Sequence, residues 1–216
     1  MDAAVYDQWY RSGHGRWIGR REAELVSAAL APRAGETLLD VGCGTGYFTR
    51  ALGKACSAVV GADIDPDWLA YARDHDPGQA YYERADARAL PHADRSFDCV
   101  SSIAVIDFIA EDAAAVAEIV RVARRRVAIG LLNRNSLLWW RKGRHGGSGG
   151  YRGARWYTPA QARRLFDGLP VGNLDMRTAI VLPGGGRVAR WLEGRWPAWP
   201  PVGAFLLLTA DVTGPM

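Results

Sequence analysis

Three glycines at alternate positions, Gly42, Gly44 and Gly46, follow the apolar run Leu38-Leu39-Asp40-Val41 and open a helical pattern. Glycines there let the backbone turn tightly and let a ligand approach without a Cβ in the way. Such a strand-to-helix turn sits at the carboxyl edge of an α/β sheet, where open sheets bind ligands. Asp40 lies inside the strand end, and Asp63 closes the next apolar run, about 20 residues past the glycines, where a carboxylate accepts from ribose hydroxyls. Asp86 follows the third run. Three acids at three successive strand ends predict one ligand crevice. A dinucleotide turn prefers G-x-G-x-x-G, with helix-end amides aimed at a pyrophosphate. Here bulky Tyr47 stands in the place of the third glycine.

These residues need a sheet to hold them. Residues 36–41, 58–63, 80–84, 97–102 and 126–132 read as strands, with helices predicted over 46–54, 66–74 and 112–122. That alternation predicts an α/β chain with a parallel sheet and helices on both faces. An amphipathic helix over 16–30 precedes it. Residues 133–157 are glycine-rich, basic and aromatic, and are expected to lack regular structure. Thr158 and Pro159 then cap and open a helix over 158–166. Strands are predicted over 175–182 and 204–211, joined by a stretch holding the glycines 184–186, Trp191, Trp196 and Trp199. The expected organisation is one domain over 1–216: an N-terminal lid (1–30), a core (31–132), the basic insert (133–157) and a C-terminal part (158–216).

At 216 residues, 49% hydrophobic and 23% charged, the chain can bury a sizeable core, which excludes global disorder. It has no run of eighteen apolar residues, and its N-terminus does not read as an export signal. Cys43, Cys56 and Cys99 lack metal spacing and cannot all pair, so a reduced, cytoplasmic protein is expected. The net charge of +4 is uneven: residues 119–166 carry twelve Arg or Lys and no acid, leaving fifteen basic and twenty-three acidic residues elsewhere. Such asymmetry marks either an anionic partner's docking place or a solvated loop.

The segments LLDVGCGTG (38–46), VVGADIDPDWL (59–69), ERADARALP (83–91), SFDCV (96–100) and AEIVRV (117–122) resemble, in order and spacing, class I S-adenosylmethionine-dependent methyltransferases of the small-molecule type 11 family. The resemblance implies a Rossmann-like, seven-stranded, mostly parallel sheet with an antiparallel last strand, and S-adenosylmethionine as cofactor. It places Gly42, Gly44 and Gly46 under the methionine part, with Asp40 near its amino group. It gives Asp63 both ribose hydroxyls and sets Ile64 beside the adenine. Asp86 accepts from the adenine amino group, and Ala87 donates a backbone hydrogen bond. Ser102 or Ile103 faces the transfer chamber. Where the family usually shows a Pro-Gly-Gly turn, this chain has Arg124-Arg125-Arg126; a local change with intact cofactor binding is expected.

Methyl transfer from a sulfonium depends mainly on in-line alignment and exclusion of water. Aromatic faces attract such a cation, so Tyr6, Trp9, Tyr10 and Trp17 form either a lid over the donor or the packing of the first helix. His14, Asp107 and His145 are the candidates for a general base, if one is used. Metal-free transfer is expected, since no metal-ligand cluster is visible in the sequence. In the insert, Arg141, Arg152, Arg155 and Trp156 are candidate contacts for an anionic or aromatic small-molecule acceptor. The alternatives are RNA, a lipid- or quinone-type acceptor at an anionic membrane surface, or a non-catalytic cofactor-binding partner protein. RNA is disfavoured by the acidic remainder of the chain and the absence of a target-base motif. A monomer or homodimer is expected.

Overall fold

The computed structural model describes residues 2–78, 80–193, 195 and 200–214. Seven strands form one sheet: β1 (Thr37–Val41), β2 (Ala58–Asp63), β3 (Tyr81–Arg84), β4 (Phe97–Ile103), β5 (Ala123–Leu132), β6 (Val171–Ala179) and β7 (Phe205–Val212). Their order across the sheet is β3-β2-β1-β4-β5-β7-β6. The first five pair in parallel, and β7 runs antiparallel to both β5 and β6, as expected of this fold class. Beside β1 the order reverses direction: β2 pairs on one side and β4 on the other. That switch point leaves an open crevice between loops that depart to opposite faces.

The helices are α1 (Ala3–Arg11), α2 (Gly13–Leu30), α3 (Tyr47–Leu52), α4 (Pro66–Asp74), α5 (Asp112–Val122), α6 (Pro159–Arg164) and α7 (Arg187–Glu193). Local chemistry starts several of them. Asp2 accepts from the Ala4 and Val5 amides at the head of α1, Ser12 from the Gly15 amide at the head of α2, and Asp65 from two amides of α4, where Pro66 is the first residue. Thr158 and Gln161 form a capping box on α6. One face of the sheet buries Val100, Ile119, Val120, Val127 and Leu208 with α5 and α6. The other buries Leu38, Leu52, Val26, Leu30 and Leu207 with α2 and α3.

Several predictions of boundary and style are corrected. The insert is not structureless: it holds a π-turn (Trp139–Gly143) and two 3-10 turns (Arg144–Gly146 and Gly149–Tyr151). Strand β6 starts at Val171, four residues early, across an irregularity between Gly172 and Asp175 that breaks its period-2 pattern. Helices α1 and α7 emerge from segments read as lid and loop. Trp191 is exposed on α7, while Trp196 and Trp199 lie outside the described residues.

The arginine run 124–126 is strand rather than turn, and each guanidinium finds an acid: Asp98 at 2.5 Å, Glu36 at 2.7 Å and Asp211 at 2.7 Å. Arg121 binds Glu118 and Asp94, and Arg155 binds Asp112. Five of the twelve basic residues of 119–166 are therefore neutralised by acids outside the segment or beside it. The charge asymmetry of the sequence is partly dissolved by folding.

Candidate active site

The glycine loop leaves β1 and is pinned to β2, with the Gly42 and Cys43 amides donating to the Ala62 carbonyl at 2.6 and 3.0 Å. Gly42 and Gly46 have φ of 73° and 76°, which an L side chain adopts at a cost. The Val105 methyls lie against the Gly42 Cα and the Trp68 ring against Gly44. These contacts and the backbone geometry by themselves require glycine.

Beneath the loop, Asp40 is buried and accepts from Thr49 Oγ1 at 2.7 Å and Ser101 Oγ at 2.8 Å. It ties β1, β4 and α3 together. Burial raises its pKa to about 6 against the lowering effect of the two hydroxyls. Asp63 Oδ2 accepts from the Gly44 amide at 2.8 Å and Oδ1 from the Asp65 amide at 3.0 Å. A carboxylate offers about four acceptor sites, so each oxygen retains one for a ligand hydroxyl. Ile64, next along, is 55% exposed.

Two buried hydroxyls at this edge have no partner: Thr45 Oγ1 in the loop and Ser102 Oγ at the end of β4. Buried polar groups ordinarily find one, so both fit a polar ligand. Ile103 is buried beside Ser102. The sequence pattern singles out the three glycines and gives no signal for Thr45, whose hydroxyl is identified only by its burial without a partner. Asp86 and Ala87 stand at the turn after β3, but the Asp86 carboxylate is engaged by Arg88 at 2.7 Å, which also reaches Glu111. The Arg88 hydrogen bonds lower its pKa to about 2. An adenine amino group would share that carboxylate with Arg88.

Helix α1 lies over this edge. Tyr6 packs on Trp68 with centroids 5.0 Å apart, Tyr10 stacks on Tyr47 at 4.0 Å, and Tyr71 Oη donates to Asp7 at 3.1 Å. Tyr6 and Tyr10 are thus part of the layer above the glycine loop. Trp17 instead lies under Arg190 of α7, and Trp9 is partly exposed.

Of the three general-base candidates, His14 and His145 are exposed, and His145 sits at φ 56° on the outer turn of the insert. Asp107 is buried. Its Oδ1 accepts from the Leu132 amide at 2.8 Å, its Oδ2 has no partner, and its carbonyl accepts from the Arg155 amide. Burial raises its pKa to about 7. Among the candidate acceptor contacts, Arg141 and Arg152 are exposed, Arg155 is held by Asp112, and Trp156 is buried against Gly143 with its indole N–H unpartnered. Among the described residues, no group of three His, Cys, Asp or Glu side chains is placed to hold a metal ion, and no helix is long and apolar enough to cross a membrane.

The methyltransferase domain family matches residues 39–129, the stretch that carries the loop, Asp63, Asp86 and the end of β4. An O-methyltransferase of Penicillium expansum is 35% identical over 113 residues, covering 50% of this chain and 41% of that protein. The chain spans about two fifths of the length of the curated relatives it matches in this way. Among solved structures, a methyltransferase of Thermotoga maritima superposes with a TM-score of 0.71 at 18% identity, covering 97% of this chain and 96% of that one. The magnesium protoporphyrin IX methyltransferase of Synechocystis, with S-adenosylhomocysteine bound, gives 0.66 at 18% identity over 98% and 96%. The fold is therefore the Rossmann-like methyltransferase fold, and residues 39–129 match the methyltransferase domain family.

Proposed function

We propose that the protein transfers a methyl group from S-adenosylmethionine to a small-molecule acceptor, without a metal. The observation that carries this reading is the Asp63 carboxylate, fixed by the Gly44 and Asp65 amides at the switch point with acceptor sites to spare. Asp63 holds the ribose hydroxyls, Ile64 flanks the adenine, and Asp86 and Ala87 meet its edge. The 42–46 loop and Thr45 hold the methionine part, with Ser102 and Ile103 next to the methyl. The bound donor supplies an electrophilic methyl on a sulfonium. This chain's residues orient the acceptor and exclude water, and Tyr6 and Tyr10 present ring faces to positive charge.

A small acceptor fits the aromatic roof that α1 lays over the carboxyl edge, and the O-methyltransferase name of a relative supports it. Nucleic acid fits less well, because five of the arginines in the basic segment are already paired. The three free cysteines suit a reducing compartment such as the cytoplasm. Incubation with methyl-labelled S-adenosylmethionine and separate pools of amines, phenols, carboxylic acids and RNA tests the reading. Label is expected in a small-molecule pool; label in RNA alone contradicts it.

A further inference from the structure

Folding neutralises the arginines of β5 but not those of the insert. Arg134, Arg141, Lys142, Arg144 and Arg152 are all exposed, and none forms an ion pair among the described residues. Residues 119–166 contain no acid that could serve them. Asp112, which touches the insert from α5, is taken up by Arg155 and by Tyr157 Oη, the latter at 2.8 Å. Like charges gathered on one small unit repel each other, so the fold itself gains nothing from this arrangement.

The unit that carries them is built rather than loose. The Ser148 amide donates to the Lys142 carbonyl at 2.9 Å, and the Gly153 amide to the Gly146 carbonyl at 3.0 Å. Both ends are tied to the carboxyl edge of the sheet. The Tyr157 amide donates to the Leu132 carbonyl at 2.9 Å and the Arg155 amide to the Asp107 carbonyl at 2.7 Å. Inward, Leu138 packs into the core with α2, and Trp139 lies against Gly143.

Outward, the same turn exposes large apolar side chains among the cations. Trp140 is 62% exposed and Leu137 44%. The Arg144 guanidinium sits 4.7 Å over the Trp140 ring, and that of Arg134 lies 5.3 Å over Trp139. Tryptophan and leucine beside arginine and lysine suit the boundary between lipid headgroups and acyl chains, where the rings and alkyl groups enter and the cations stay with phosphates. RNA would stack its bases on open ring faces, but Arg144 occupies a face of Trp140, and Leu137 offers neither a ring nor a hydrogen bond.

We propose that the outward face of the insert, Leu137 and Trp140 with Arg141, Lys142 and Arg144, docks the protein onto an anionic lipid bilayer. The insert's two ties to the sheet then hold the carboxyl edge close to the lipid surface. That consequence matters for turnover only if the edge is the transfer site, whereas docking itself needs no donor.

The test is sedimentation of the protein with phosphatidylcholine vesicles, with and without about 30% phosphatidylglycerol as the anionic lipid. The expected result is binding to the anionic vesicles at least about tenfold tighter than to the neutral ones, weakening as salt rises from about 0.05 to about 0.5 M. Each cation near such a surface is worth about fivefold, so the double variant Lys142→Gln/Arg144→Gln should lose about twenty-five-fold. Trp140→Ala should lose about tenfold through its apolar area. These side chains make no hydrogen bond to the rest of the chain among the described residues, and equal thermal unfolding checks the variants. Should a variant not fold, the wild-type contrast between the two vesicles and its salt dependence decide.

No binding to anionic vesicles, equal binding to both kinds, or a folded double variant that binds as wild type overturns the proposal. Capture by a single-stranded RNA oligonucleotide where anionic vesicles fail assigns the surface to nucleic acid and also overturns it. S-adenosylhomocysteine titration is read separately. Its failure beside intact vesicle binding counts against the donor reading alone, and its success without vesicle binding counts against the docking surface alone.

Discussion

Asp63→Ala weakens S-adenosylhomocysteine binding between about tenfold and about a hundredfold, the 1.5–3 kcal/mol scale of hydrogen bonds to a charged group. The expectation follows from the two amides that fix the carboxylate and leave its remaining acceptor sites directed at the crevice. Part of the loss comes through Gly44, whose amide loses its acceptor and with it the set of the loop. Asp63→Asn separates the two effects: its one carbonyl oxygen still serves an amide, so it should fall between wild type and Asp63→Ala. Affinity unchanged in Asp63→Ala would remove this residue from the site.

The second large effect is on stability and depends on pH. In the folded protein burial holds the Asp107 carboxyl at about 7 against an ordinary 3.8. The folded state therefore binds a proton that the unfolded state has released. Stability from this group is full below pH 4, is lost as pH rises toward 7, and stays lost above it. The loss amounts to at most about 4 kcal/mol. Asp107→Asn keeps an acceptor for the Leu132 amide and carries no charge, so it should be more stable than wild type at pH 8. The gain is about 1–3 kcal/mol once the cost of the buried amide is deducted. At pH 5 the gain should vanish. Urea unfolding of both proteins at the two pH values checks this, and a variant no more stable at pH 8 would show that Asp107 carries no unpaired charge there.

The core of the site was legible because its determinants are local. Alternate glycines after an apolar run, and acids at successive strand ends, encode a turn and its neighbours within a few residues of each other. The apolar runs of β1, β2 and β4 likewise report their own burial on both faces. What was not legible depends on distant partners. The arginines 124–126 read as a surface turn until Glu36, Asp98 and Asp211 are brought beside them. Arg155, a candidate acceptor contact, is claimed by Asp112, 43 positions away.

Helix α7 was missed because seven residues with two exposed apolar side chains carry little periodic signal. The early start of β6 was missed because Asn173, at φ 51°, interrupts its alternation.

The central claim is that this crevice holds the methyl donor, and calorimetric titration with S-adenosylhomocysteine, using NADH as the control ligand, tests it most directly. Micromolar binding of S-adenosylhomocysteine with no heat from NADH is the predicted result. Binding of NADH in its place, or of neither ligand, would contradict the account.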